Sequence, residues 1–526
     1  MAASRSRPPL RRTGAAVAAV VLLGATALLA GCATSGPVAA ARLHADLAPQ
    51  LRALSEADRL RVGGSATRRK LVDQAGRPVL LLGVGVNAYV DYGTAAAPSP
   101  LTTDDPARMA SLGLNAVRLA VSWSRLMPQP GQLSADELAR VTETVRQLGA
   151  AGIYTVLSMH QDRYAADLGT GTEFDGAPRW AVDTGGLPCG APGADYYTPC
   201  AAQAAAAFYG GARVSGRTLQ DWYADAVVAL AQAGRTGGPG YAGVDIINEP
   251  TDPTASDPAY PSSRWRKQLG ALQRTLVMRL RAGGERAPIW VQPQGPRATE
   301  PARITALPQL SDRQLVYAPH AYVDVYGTQP GGRTAARVAK QYAAFVKEAR
   351  GLRAALAIGE FPGAAGGVWD ALRHVHRAQQ LRAGIGAFSW LWQQPDGSYG
   401  WGLLDSQGAR RSGTDNAAVL SAPRLLAGAG VRVSGSAERV TLTASRKHSS
   451  TADLWLGTRF AAEHDGQTLH VTAASSGVSI DTSWMPQAQL GGELALGTAI
   501  RVRLPAGKAR ATVVLAAPQG ASGTPQ

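Results

Sequence analysis

The sequence predicts a (β/α)8 TIM barrel followed by a small C-terminal β-sandwich, and three observations carry that prediction. Eight short apolar runs alternate with helix-like stretches between residues 79 and 391, the pattern of strand–helix units closing into a barrel. These runs are apolar almost throughout, as parallel strands buried on both faces must be. Near Leu420 the pattern changes to short alternating runs (VRVSG, RVTLTAS, TLHVTAA, IRVRL, ATVVLAA) with Gly, Ser and Asp between them and no helical stretch, which reads as a sandwich.

Residues 1–31 read as a lipoprotein signal peptide. Arg5, Arg7, Arg11 and Arg12 form a positive start, and Gly14 to Leu29 is an uncharged apolar run of 16 residues, short for a membrane span. It ends in Leu29-Ala30-Gly31-Cys32. That ending resembles a bacterial lipobox, so Cys32 is the expected lipidated N-terminus and the membrane an expected partner through this anchor. Without the four leader arginines the formal charge of +15 becomes +11, which favours weak association with anionic surfaces. No basic run is interleaved with aromatics, so nucleic acid is not an expected partner.

Residues 32–66 read as a linker with one short amphipathic piece. Leu71 to Pro78 reads as a small hairpin leading into the catalytic barrel, assigned to 67–422. The expected strands are 79–87, 114–121, 153–160, 243–249, 288–294, 314–320, 354–360 and 384–391. Ala135 to Leu148 is an expected helix, with Ser134 and Glu137 at capping-box spacing and Gly149 at its end. The longest insertion, about Gln161 to Arg217, follows the third strand and holds Cys189 and Cys200. In an exported chain these two are expected to form a disulfide that staples a surface loop. The sandwich is assigned to 423–519 and a disordered tail to 520–526.

The chemistry lies at strand ends. Val244-Asp245-Ile246-Ile247 reads as a buried strand stopped by Asn248-Glu249-Pro250, since proline cannot donate to a ladder. A carboxylate at the mouth of such a strand is costly unless used, and a second strand ends at Glu360. Strand ends on this fold also supply Arg118, His160, Asp162, His320, Tyr322 and Trp390, on the rim where barrel active sites form. Two carboxylates flanking a bond are what glycoside hydrolysis requires. Arg118 and Tyr322 suit a partner role for Glu360. Asn248 suits the sugar 2-hydroxyl, His160, Asp162 and His320 suit other hydroxyls, and Trp390 offers a flat face for a ring. No metal and no organic cofactor is expected.

This set resembles the family-5 glycoside hydrolases, retaining enzymes on a (β/α)8 barrel. The resemblance implies that Glu249, in Asn-Glu-Pro, is the acid/base and Glu360 the nucleophile, with their oxygens about 5 to 5.5 Å apart. Met159-His160-Gln161-Asp162, Gly176 to Trp180, Trp401 to Asp405 and the β-module resemble the endoglycoceramidase branch, whose members cut between a glycan and its ceramide. Departures are Ser158 before the Met-His-Gln-Asp run, Phe361-Pro362-Gly363 after Glu360, and the cysteine-bearing loop. The expected function is a retaining β-glycosidase acting on a glycolipid or other carbohydrate with an apolar aglycone. The loops near Tyr89, Tyr92, Trp123 and Tyr326 are expected to wall the tail. The alternatives are a β-glucosidase or β-glucanase of the same family, and a surface carbohydrate-binding lipoprotein without catalysis.

Overall fold

The computed structural model describes residues 37–44, 52–87, 101–162, 164–165, 168, 175–189, 198–253, 261–300, 310–325, 331–363, 368–393, 401–405, 407–409, 424–428, 431–435, 439–446, 449–455, 468–473, 479–480, 493–495 and 499–516. All belong to one compact unit, Ser35–Gln526. The expected signal peptide, Cys32, the tail 520–526, and Tyr89, Tyr92 and Tyr326 lie outside the described residues.

The strands in chain order are β1 (Pro37–His44), β2 (Arg61–Gly63), β3 (Lys70–Val72), β4 (Leu82–Val86), β5 (Ala116–Val121), β6 (Tyr154–Met159), β7 (Arg213–Val214), β8 (Arg217–Thr218), β9 (Tyr241–Asp245), β10 (Ile289–Val291), β11 (Leu315–Tyr317), β12 (Ala355–Pro362) and β13 (Gly386–Trp390). Beyond them come β14 (Arg424–Ala427), β15 (Val431–Gly435), β16 (Arg439–Arg446), β17 (Ser450–Trp455), β18 (Thr468–Ala473), β19 (Ser479–Ile480), β20 (Glu493–Ala495), β21 (Ala499–Leu504) and β22 (Gly507–Ala516). Eight of them close in the order β10-β11-β12-β13-β4-β5-β6-β9, every neighbour pair parallel.

Helices cover the barrel because each carries one apolar stripe. In Ala135–Ala150 the buried positions include Val141, Val145 and Leu148, the three- and four-residue spacing of a helix face. Ser134 caps it by accepting from the Glu137 N–H at 3.2 Å. The Glu137 side chain turns instead to Arg125 and Arg140, so the expected capping box forms by half. The floor of the barrel is filled by Trp290 and Phe388, edge to face at 5.9 Å, with Leu60, Val62 and Leu71 below them.

The expected linker 32–66 is more ordered than its sequence indicates. Pro37–His44 is a strand between β18 and β20. Arg61–Gly63 pairs with Lys70–Val72. Alanine-rich Pro37–His44 has weak strand character of its own, and the partner strands supply what the sequence lacks. The C-terminal strands form a six-stranded sheet, β15-β16-β22-β18-β1-β20, and a four-stranded one, β14-β17-β21-β19. Asp453 on β17 ties the module to the barrel, pairing with Arg77 at 3.1 Å and Arg501 at 2.6 Å.

In the insertion, Cys189 and Cys200 are disulfide-bonded with Cα atoms 5.2 Å apart. Cys200 lies in the first turn of the helix Pro199–Gly210. Trp123 is not a wall residue: it is buried between Trp180 and Tyr223, each edge-on at 5.3 Å. Among the described residues no helix is long and apolar enough to cross a membrane.

Candidate active site

The site is built from the carboxyl ends of the barrel strands. Strand β9 ends at Asp245, four residues before Glu249 and earlier than its sequence pattern implies. The chain keeps one bond to each neighbour, from Ile246 N–H to Trp290 O and from Asn248 N–H to Met159 O. At Glu249 it then turns with φ +38°, a left-handed conformation uncommon outside glycine. The Glu249 N–H donates to Gln292 Oε1 at 3.0 Å, which fixes the turn. Glu360 lies inside β12, two residues before its end.

Arg118 on β5 is the hub. Nη1 donates to Glu360 Oε1 at 2.7 Å. Nη2 donates to Asp245 Oδ2 at 2.8 Å and Asn248 Oδ1 at 2.7 Å. Nε also donates to Asp245 at 3.2 Å. With 1 % of its side chain exposed, Arg118 is committed to protein partners, which suits a positioning role toward Glu360. Tyr322 O–H donates to the other oxygen of Glu360 at 2.8 Å, and Trp401 packs edge-on against Tyr322 at 5.7 Å.

His320 stands between the two glutamates, Nδ1 at 2.7 Å from Glu249 Oε1 and 3.3 Å from Glu360 Oε2. It can stand there because residue 359 is glycine. A Cβ on Gly359 would lie 2.9 Å from the His320 ring. Burial pushes the imidazole down to about 4, so at neutral pH it carries one ring hydrogen and no charge. With that hydrogen on Nδ1, it donates toward the carboxylates.

One oxygen of Glu249, one of Glu360 and a ring nitrogen of His320 all lie within 4.8 Å of one another. That is the close spacing of retaining enzymes, well inside the roughly 6.5–9.5 Å of inverting ones. The three groups also have metal-ligand spacing. Both oxygens of Glu360 already accept hydrogen bonds, so a cation would compete with Arg118 and Tyr322.

The two glutamates differ in surroundings. The Glu249 side chain is 26 % exposed and that of Glu360 7 %. Desolvation, then the neighbouring Asp162 carboxylate, raise the Glu249 carboxyl to about 7, against the pull of His160 and Arg118. No charge pair holds it ionised, whereas Glu360 faces a guanidinium. Two carboxyl groups pushed into different roles is the signature of an acid and a nucleophile.

Asp162 lies 3.4 Å from His160 Nε2. Burial opposes the charge on His160, but the Asp162 carboxylate outweighs it and holds the imidazole up at about 9. The His160 ring stacks on Trp390 at 5.4 Å and 7°. Trp390 itself lies over Gly85, where a Cβ would come within 2.6 Å of the indole. Trp392 is buried, so Trp390 alone of the two presents a face. Asn248 Nδ2 donates to Gln161 O at 3.0 Å, which orients the amide.

All nine expected site residues are thus gathered at one end of the barrel. Sequence reasoning gave no site role to Asp245, Gln292 or Trp401. Asp245 is fully buried, and its Oδ2 accepts from Arg118 and, at 2.6 Å, from Gln292 Nε2. Gln292 links it to the Glu249 backbone. A charged residue in an otherwise apolar buried strand must have a partner, and Asp245 carried that signal.

A family model described as cellulase (glycosyl hydrolase family 5) matches residues 72–396. An endoglycoceramidase I of Rhodococcus hoagii (strain 103S) is 31% identical over 268 residues, covering 48% of this chain and 51% of that protein. An endoglycoceramidase of Cyanea nozakii is 36% identical over 77 residues, 15% of this chain and 14% of that protein. The chain thus spans about half the length, or less, of these curated relatives. Among solved structures, the lactosyl-enzyme intermediate of endo-glycoceramidase II from Rhodococcus sp. superposes with a TM-score of 0.68 at 23% identity, over 85% of this chain and 100% of that one. An endogalactoceramidase does so with 0.66 at 23% identity, over 87% and 100%. At such identity these two speak for the shared fold.

Proposed function

This chain belongs to glycosyl hydrolase family 5, and on that premise we propose that it is a retaining β-glycosidase of endoglycoceramidase type, cutting between a glycan and an apolar aglycone. The observation that carries the chemistry is the pair of glutamates within 4.8 Å, one hydrogen-bonded to Arg118 and the other to His320. Glu360 attacks the anomeric carbon while Glu249, protonated, gives its proton to the leaving oxygen. A glycosyl ester on Glu360 results. Glu249, now ionised, takes a proton from water, and that water opens the ester and restores both groups. Arg118 and Tyr322 hold the attacking carboxylate in line. Asn248 serves the 2-hydroxyl, Asp162 and His160 serve other hydroxyls, and Trp390 supports the ring. None of these steps requires a metal or organic cofactor.

The aglycone assignment leans on the named activities of the relatives, since two similar proteins are endoglycoceramidases. The family model's own description, cellulase, favours a second reading, a glucanase acting on soluble glucans. Alkyl β-glycosides of increasing chain length separate the two. Each buried methylene contributes about 0.8 kcal/mol in the ideal limit. On the glycolipid reading kcat/KM therefore rises with chain length and then levels, and soluble glucans are poor substrates. A flat alkyl series with rapid glucan cleavage transfers the assignment to the glucanase. Absence of turnover on any activated aryl β-glycoside would leave only the carbohydrate-binding lipoprotein.

The apolar leader before Leu29-Ala30-Gly31-Cys32 supports an exported protein, and its ending supports a lipid anchor on Cys32. Mass spectrometry of the mature N-terminal peptide is expected to find a diacylglyceryl group on Cys32. An unmodified N-terminus elsewhere sinks the anchor and leaves plain secretion.

A further inference from the structure

A helix that follows a parallel barrel strand begins on the face where that strand ends. The helix Ser263–Ala282 follows β9 and Glu249, and the helix Thr334–Leu352 follows β11, His320 and Tyr322. Their first turns therefore stand at the mouth of the active site. Arg264, Arg266 and Lys267 occupy the start of one, Arg333 caps the other and Lys340 lies in its second turn, all five exposed.

Among the described residues no carboxylate answers them. The sequence of Ser263–Ala282 contains no Asp or Glu. The single acid of Thr334–Leu352, Glu348, is buried against Arg297 and Tyr317. Three other cations on these helices do have partners: Arg279 pairs with Asp225, Arg281 with Asp312 at 2.7 Å and Arg337 with Asp324 at 2.8 Å, while Arg274, Lys347 and Arg350 lie further along, away from the mouth. Among the described residues the five rim cations have no ion pair or hydrogen bond. Across the mouth the charge is mixed, with exposed Asp104 and Asp136 before and within the helices Asp105–Ser111 and Ala135–Ala150. Around the mouth the unpaired charge is therefore positive on one side, where it attracts anions over roughly a Debye length.

We propose that this cationic rim docks the enzyme on the phosphate headgroups of an anionic lipid bilayer, mouth toward the membrane. The proposal rests on the glycolipid reading above. A glycolipid keeps its tail in the bilayer and its first sugar at headgroup level, so a mouth that opens at that level meets the scissile bond where it lies. Long Arg and Lys side chains reach headgroups while their stems stay on the protein. An unpaired cation near an anionic surface strengthens partitioning by about fivefold.

The test is sedimentation of the full-length chain with phosphatidylcholine vesicles, with and without phosphatidylglycerol. Neutral vesicles measure whatever an N-terminal anchor adds. Wild type is expected to bind the anionic vesicles at least tenfold better, and the excess should vanish as salt rises from about 0.1 M to about 1 M. The variant Arg264→Glu, Arg266→Glu, Lys267→Glu, Lys340→Glu should lose that excess. It should cut glycolipid in anionic vesicles more slowly, yet hydrolyse a soluble aryl β-glycoside as wild type does. If the reversal prevents folding, the same four positions changed to Gln should lose most of the excess. Equal binding to both vesicle types, or an excess that survives either set of substitutions, overturns the proposal. So does tighter, salt-sensitive binding to DNA than to anionic vesicles, which would assign the rim to a polyanion. Should wild type fail on soluble and vesicular substrates alike, the glycosidase reading falls while the vesicle-binding arm still decides the rim.

Discussion

Glu360→Gln lowers turnover of an activated aryl β-glycoside by about four orders of magnitude or more, with the protein still folded. Loss of a covalent nucleophile removes the only path to the glycosyl-enzyme, and residual rates then come from binding and electrostatics alone. The fold survives because Arg118 keeps Asp245 as a charged partner at 2.8 Å when Glu360 becomes an amide. Circular dichroism checks that point, and intact-mass analysis with a fluorinated substrate checks the chemistry: wild type accumulates the glycosyl adduct and the variant does not. Opening the site further by Glu360→Ala and supplying azide should give the α-glycosyl azide, because a single displacement inverts the anomeric centre. If the variant retains ordinary rates, Glu360 is not the nucleophile.

Glu249→Gln has an effect that depends on the leaving group. A substrate that leaves as a poor alkoxide needs the proton, so kcat/KM on alkyl glycosides or glycolipids should fall by about 10²–10⁴. An activated aryl group departs without help, so its first step is nearly unaffected while its second, which needs a base, slows and the glycosyl-enzyme accumulates. The pH profile carries the same assignment. Burial and Asp162 raise the Glu249 carboxyl to about 7, so the acid form prevails below that pH and is lost above it. For poor leaving groups the alkaline limb of kcat/KM in wild type should therefore fall near pH 7, and it should be absent from the variant's residual rate. Azide should rescue the second step and yield the β-glycosyl azide, since attack on the intermediate inverts once more. An alkaline limb that persists unchanged in Glu249→Gln transfers the acid role to another group.

The alternation of apolar runs and helical stripes identified the barrel, because burial on both faces leaves a strand few polar positions. It also gave seven of the eight barrel strands to within about three residues of either end, the exception being β9, which stops four residues early. Asn248-Glu249-Pro250 and Gly359-Glu360 were legible for the same reason: a carboxylate beside a buried strand has to be accounted for. The switch to period-two patterning announced the sandwich. The Cys189 and Cys200 pair needed only the exported context and their spacing.

Other features were decided by contacts between residues distant in sequence. Pro37–His44 is a strand only because β18 and β20 flank it. The partition of Arg118 among Asp245, Asn248 and Glu360 brings together three strands, and no local pattern states which oxygen lies nearest. Whether Trp390 or Trp392 faces the cleft depends on the gap above Gly85. Whether Trp123 lines a wall or fills the core depends on Trp180 and Tyr223, supplied from elsewhere in the chain. The sequence by itself therefore determined the architecture and singled out the two glutamates proposed to react, since periodicity and the cost of buried charge are local. The tertiary structure decided how their surroundings differ, because Arg118 and Tyr322 at Glu360, and the burial and Asp162 carboxylate at Glu249, are brought within reach only by the closed barrel.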